Sequence, residues 1–206
     1  GPAGWGRGLV SADMNGSLVR SVIERRRDQS LPGYRTYRSG VHEVRVFRED
    51  ATGVHIWRMA PDGSGLRQLT SGAGEQVADV SRNGRFAAFA PYDSPRTVSL
   101  LSVENGAVSR LPEEASGILG FSPDSSRLMA GVLEADAQGL SRTVWKAFPV
   151  AGGSSTATFR LPGPALDPTW SPDGRGMTFR TRADAAWNVV RQDEGGKEPV
   201  PVTRFT

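Results

Sequence analysis

Short runs of strand-forming, largely apolar residues recur along this chain, with glycine, proline, asparagine or aspartate close by. One set comprises Phe86-Ala87-Ala88-Phe89, Leu128-Met129-Ala130 and Met177-Thr178-Phe179. A second comprises Val54 to Met59, Val98 to Val103, Val144 to Phe148 and Trp187 to Val190. The first set has strand character, and in the second the alternation of apolar and polar positions predicts half-buried strands. Each run of the second set is followed by a glycine-bearing turn: Asp62-Gly63-Ser64-Gly65, Glu104-Asn105-Gly106, Ala151-Gly152-Gly153 or Glu194-Gly195-Gly196. A polar run follows each turn, Arg67 to Thr70, Val108 to Leu111, Thr158 to Leu161 and Val202 to Phe205, and reads as an edge strand.

The elements repeat as a group. A phrase precedes each run of the first set: Val80-Ser81-Arg82-Asn83-Gly84-Arg85, Phe121-Ser122-Pro123-Asp124-Ser125-Ser126-Arg127 and Trp170-Ser171-Pro172-Asp173-Gly174-Arg175. Ser81 and Ser122 are 41 positions apart, and Ser122 and Ser171 are 49 apart. Four-stranded propeller blades recur at about 40–45 residues. The expected fold is therefore all-β, a β-propeller of about four four-stranded blades, with the runs after each Ser-Pro-Asp phrase as inner strands. Residues 1–52 fit the same template as an irregular first blade. Met14-Asn15-Gly16 supplies its turn, Leu18 to Ile23 its inner strand and Val41 to Phe47 the next strand, and the charged insert Glu24 to Gly33 reads as an exposed loop. Residues 53–206 form the regular blades.

Ile56-Trp57-Arg58-Met59, Asp62-Gly63-Ser64, Arg67-Gln68-Leu69-Thr70 and Trp170 to Arg175 together resemble the TolB-type, WD40-like PD40 repeat of bacterial β-propellers, over about Gly53 to Thr206. Asn83 stands where that repeat usually has Asp, and Ser125 where it has Gly. The resemblance implies a periplasmic or secreted setting and a platform for protein or peptide contacts. Such repeats also occur in sensor regions and in the propellers that cap some serine peptidases. Four blades is the lower limit for a closed ring, and Val202 to Thr206 stops where another repeat would begin. This predicts either a fragment of a larger propeller or a partial propeller that hides apolar faces by pairing with a second copy.

Composition narrows the chemistry. The absence of cysteine excludes disulfides, zinc–thiolate sites and cysteine nucleophiles. The net charge of +3 is mild, and the single basic run Arg25-Arg26-Arg27 is flanked by Glu24 and Asp28, which argues against nucleic acid as a partner. No apolar run approaches the ~20 residues of a membrane-spanning helix, so membrane insertion is not expected.

Ser122 lies in Gly120-Phe121-Ser122-Pro123-Asp124, without the second glycine of a nucleophile elbow, and reads as a turn hydroxyl. Gly195-Gly196-Lys197 lacks the pattern of a phosphate loop. The recurring Asp124 and Asp173, with Asp62, read as turn-fixing carboxylates because a catalytic pair would not be copied into every blade. His42 and His55, the only two histidines, fall on neighbouring predicted strands with Glu43 beside them, and are the candidates for a divalent metal. Their spacing matches no established ligand pattern, so neither metal nor cofactor is expected. The best reading is a non-catalytic propeller scaffold for protein or peptide binding, without catalytic residues. The alternative is a hydrolase, either the propeller of a serine peptidase or a weak, promiscuous metal-dependent esterase or phosphoesterase at the channel mouth.

Overall fold

A computed structural model of the chain describes residues 9–11, 20–23, 44–50, 53–59, 65, 67–72, 74–163, 165–183, 186–196 and 198–205. Among them every regular element is a strand. Strands β1 (Leu9–Ser11) and β2 (Arg20–Ile23) pair antiparallel, and β3 (Val44–Asp50), β4 (Gly53–Met59) and β5 (Arg67–Gln68) form a three-stranded sheet. Three four-stranded sheets follow. The first contains β6 (Glu75–Val80), β7 (Phe86–Pro91), β8 (Ser99–Ser102) and β9 (Val108–Arg110); the second β10 (Gly117–Phe121), β11 (Arg127–Ala135), β12 (Ser141–Pro149) and β13 (Ala157–Phe159). The third contains β14 (Leu166–Trp170), β15 (Gly176–Ala183), β16 (Ala186–Asp193) and β17 (Val200–Pro201). In each the strands lie in chain order and pair antiparallel, as a propeller blade requires. We call the sheets that begin with β3, β6, β10 and β14 blades 1 to 4.

The expected inner strands lie one position further out. Residues Phe86–Phe89, Leu128–Ala130 and Met177–Phe179 are equivalent to one another, but each belongs to the second strand of its blade. The first strands are β6, β10 and β14, and β10 contacts both β6 and β14. The Ser-Pro-Asp phrase is the turn from first to second strand. The last outer strand is also displaced, to Val200–Pro201; Val202 to Phe205 run past it, pinned by Asn188, whose amide bonds both the N–H and the C=O of Phe205. Proline at that position is compatible with a sheet edge, where one side of the strand needs no donor.

The repeated turn has a physical basis that is the same in all three copies. The serine hydroxyl accepts the N–H five residues on, from Phe86, Arg127 or Gly176, at 2.9–3.0 Å. It donates in turn to the side-chain oxygen two residues on, of Asn83, Asp124 or Asp173, at 2.9, 2.6 and 2.7 Å. That oxygen accepts the N–H of Arg85, Ser126 or Arg175. Asn83 does what aspartate does elsewhere, since only an acceptor oxygen is needed. The third residue after the serine has positive φ: 73° at Gly84, 70° at Gly174 and 63° at Ser125. Serine is unfavourable in this conformation, and it has a compensating use. The buried Ser125 hydroxyl accepts the N–H of Asn83 from the preceding blade at 3.1 Å.

Blades stack face to face through apolar clusters. Ile56 and Leu69 of blade 1 meet Val77, Val80, Phe89 and Leu101 of blade 2. Leu100 and Val98 of blade 2 meet Leu128, Val132 and Phe148 of blade 3. Met129 and Phe159 of blade 3 meet Trp170 and Met177 of blade 4. The face of blade 4 directed away from blade 3 differs. Where blades 2 and 3 place Ala88 and Met129, it has Thr178, and Arg180, Arg182 and Arg191 extend along the same side. Trp187 lies there, 39% exposed, with the Arg180 guanidinium 5.8 Å from its ring centre. Trp145 and Trp187 occupy the third strands of their blades and Trp57 the middle strand of blade 1; Trp57 and Trp145 are partly buried, whereas Trp187 is exposed.

Candidate functional site

The first strands β6, β10 and β14 end side by side at the Ser-Pro-Asp turns, and there they surround a cavity of about 540 Å³. Blade 2 contributes Asp79, Val80 and Arg82, blade 3 the stretch Leu119 to Pro123, and blade 4 Thr169, Trp170 and Pro172. One backbone device prepares the lining in each blade. Pairing shifts by a residue between Val77 and Asp79, between Ile118 and Gly120, and between Leu166 and Thr169. A bulge at the same place three times re-aims the residues that follow it.

After the bulge two positions have fixed tasks. The residue before the serine, Val80, Phe121 or Trp170, packs against the core shared with the preceding blade. The residue before that, Asp79, Gly120 or Thr169, stands opposite Ala88, Met129 or Thr178, on the side of the following blade. Asp79 uses this position to bridge blades: Oδ2 accepts the Phe121 N–H and Oδ1 the Val80 N–H, both at 2.8 Å. Gly120 is required beneath it. Its φ is +125°, and a Cβ there would lie 2.6 Å from Asp79 Oδ2. The Gly120 carbonyl accepts the Trp170 indole N–H at 2.9 Å, which joins blade 3 to blade 4. On the other side of this joint Arg127 stacks 5.2 Å from the Trp170 ring centre and donates to the Gly174 carbonyl and to Glu194.

The electrostatics of the mouth are uneven. Burial pushes the Asp79 carboxyl above its ordinary range, against the opposing effect of the Phe121 and Val80 N–H groups. The turn carboxylates move the other way: the Ser122 hydroxyl and Ser126 N–H hold Asp124 low, and the Ser171 hydroxyl followed by Arg191 holds Asp173 well below the carboxylate range. A lowered carboxylate adds stability that is present above its unfolded value of about 3.9 and is lost as pH falls through the folded value. For Asp79 the sign reverses, and its contribution falls as pH rises through the raised value. Arg82, exposed at the rim, has no hydrogen-bond or ion-pair partner among the described residues.

The residues singled out from sequence are arranged otherwise. His42 and Glu43 fall outside the described residues. His55 is buried between blades 1 and 2, its Nδ1 3.0 Å from Glu75 Oε2, while Glu75 Oε1 accepts the Gly72 N–H at 2.7 Å. Its cross-strand neighbour on β3 is Arg48. Among the described residues no group of three or more His, Cys, Asp or Glu side chains is placed to hold a metal ion. Ser122 is 1% exposed, with its hydroxyl committed to the turn. Asp79, Arg82, Gly120 and Trp170, which define the mouth, were not distinguished by the sequence pattern; the available signal was the Asp, Gly, Thr series two residues before the repeated serine.

No protein-family model matches the chain, and no curated protein matches it. Solved structures do. TolB from Acinetobacter baumannii matches with a TM-score of 0.54 at 16% identity, over 94% of this chain and 48% of that one. An acylaminoacyl peptidase from Pyrococcus horikoshii matches with 0.56 at 13% identity, over 85% and 32%. The β-propeller domain of the Trilobed protease from Pyrococcus furiosus, described as having an open velcro topology, matches with 0.54 at 13% identity, over 78% and 53%. A putative TolB from Agrobacterium tumefaciens is matched over 61% of its length, so the chain spans about half to three-fifths of the two TolB structures. At such identities the likeness concerns the backbone, and the chain has the blade fold shared by TolB and the peptidase propellers, as a partial β-propeller.

Proposed function

We propose that the protein is a non-catalytic propeller scaffold that binds a polypeptide segment at the mouth where β6, β10 and β14 converge. The observation that carries this is the cavity itself: three successive blades contribute to it through one repeated bulge, and its mainly polar lining includes an exposed cation and a carboxylate. A concave site on which polar groups from several elements converge is a common form of binding site, and here the accessible lining is more polar than apolar. The hydroxyls and carboxylates of the three turns are occupied in holding backbone, which leaves them poorly placed for general acid–base work. A periplasmic or secreted setting accords with the absence of cysteine and with the repeat resemblance. Pairing of two copies belongs to the same reading, with the exposed outer face of blade 4 as the candidate contact.

The test is selection of unstructured peptides from a displayed library on the purified protein. Binders are expected to lose affinity for Thr169→Trp, which fills the mouth from an exposed position, and to keep it for Ser109→Trp on the exposed outer strand β9. Binders indifferent to Thr169→Trp would overturn the assignment. A second reading, the propeller portion of a serine peptidase, is favoured by the likeness to the Pyrococcus horikoshii enzyme and would require a catalytic domain outside these residues.

A further inference from the structure

Asp79 differs from the other carboxylates whose titration the fold displaces. Asp124 lies in the field of Arg127, Asp136 is bonded to Arg142, Asp173 to Arg191, and Glu134 to Lys146 and Arg160. Asp79 has two backbone N–H partners and no cationic partner among the described residues. Those two bonds fix the carboxylate, since one comes from its own strand and the other from the next blade. They hold it in place at the cavity wall, where partial burial disfavours its charge. Each oxygen accepts one of these N–H groups and retains a further lone pair. The group is held in place, partly desolvated and without a counter-charge among the described residues, on the wall of a cavity that Leu119, Pro123 and Thr169 also line.

We propose that this cavity receives a basic side chain, lysine or arginine, of a polypeptide segment, with Asp79 as its counter-charge. The inference rests on the mouth being a peptide-binding site and adds which residue enters it. The lining is mainly polar, as a charged head group requires, and its smaller apolar part, which includes Leu119 and Pro123, suits the aliphatic stem of such a side chain while its head reaches the carboxylate. A fixed carboxylate in a low-dielectric setting gains more from a cation than a mobile surface carboxylate does. Arg82 at the rim gives the segment a direction, because it repels a second cation and attracts an acidic neighbour.

Nuclear magnetic resonance titration of the full chain with acetyl-Ala-Lys-Glu-Ala-amide, and with the same peptide carrying norleucine for lysine, tests this. The lysine peptide is expected to shift the Val80 and Phe121 amide resonances and to bind at least about 10-fold more tightly than the norleucine peptide. In Asp79→Asn, whose fold is checked from its own spectrum, that ratio is expected to fall to about one. The comparison of the two peptides on the unaltered protein stands even if the variant does not fold. Equal affinities there, or a preserved ratio in folded Asp79→Asn, would overturn the proposal. Shifts at Val80 and Phe121 that are equal for both peptides would remove the charge recognition and leave the mouth as a peptide site. Absence of any shift up to about 10 mM peptide, a Kd beyond useful affinity, would also overturn it, and the library selection would then decide the mouth separately.

Discussion

At Ser125 a residue in an unfavourable backbone conformation is retained for a bond to another blade. With φ of 63° it incurs roughly 1 kcal/mol relative to glycine, and its hydroxyl satisfies the Asn83 N–H. Ser125→Ala keeps the strain and removes the acceptor, so a loss of about 1–2 kcal/mol is expected in urea unfolding. Ser125→Gly removes both, and its effect is expected to lie within about 1 kcal/mol of zero. If alanine costs nothing, the hydroxyl is not the reason for serine; if alanine and glycine cost the same, the backbone strain is not relieved by glycine. The departure was visible in the repeated phrase, but its reason was not, because the partner is 42 residues away on another sheet.

Among the strands, the sequence disclosed those that adjoin a recognisable turn and concealed those interrupted by a bulge. Strands β7, β11 and β15 follow recognisable turns, and β4, β8, β12 and β16 precede glycine turns. In β6 the core residues Val77 and Val80 are three apart, a spacing foreign to a regular strand, because the bulge at Ala78 restores both to the same face. The innermost layer was therefore missed and the layer next to it took its place. Third-strand tryptophans show a similar limit, since equivalent positions differ in what covers them. Trp145 is opposite Gly131 and Phe159 and packs against the cluster between blades 3 and 4. Trp145→Ala is expected to cost about 2–4 kcal/mol, below the range for a fully enclosed ring. Trp187→Ala, from an exposed face, should cost under about 1 kcal/mol. Chemical denaturation of both variants checks the difference, and equal losses would contradict it.

For the molecule as a whole, the outer face of blade 4 alters the grounds on which pairing was expected. Open apolar faces were the motive, whereas this face carries Arg180, Arg182 and Arg191, with Asp167, Asp173 and Asp193 bonded to the first and last of them. Contact through it would be ionic at its rim and centred on Trp187. Light scattering coupled to size exclusion is expected to give twice 22.1 kDa at low salt and a falling mass at about 0.5 M salt, where exposed charges are screened beyond a few ångströms. A mass of one chain under both conditions would remove the pairing, and a pair insensitive to salt would locate the contact elsewhere. The blade count and the all-β class were legible because repeats announce themselves by period. The mouth was not, because it is assembled from short stretches of three to five residues in each of three blades.

The bulge has a further consequence, for changes of chain length. Ala78 is the extra residue in β6, and Val77 and Val80 lie on one face only because it is there. Its deletion would leave these valines two apart, again on one face, in an uninterrupted strand shortened by about 3.3 Å. Leu119, the extra residue of β10 between Ile118 and Gly120, differs in that its side chain packs against the cluster shared by blades 3 and 4, so this latitude belongs to β6. Loss or gain of one amino acid at this site therefore preserves the inter-blade core while altering how far the strand ends project. Variation in length, at a place where most strands tolerate none, gives this architecture a way to reshape its opening without replacing any side chain that holds the blades together.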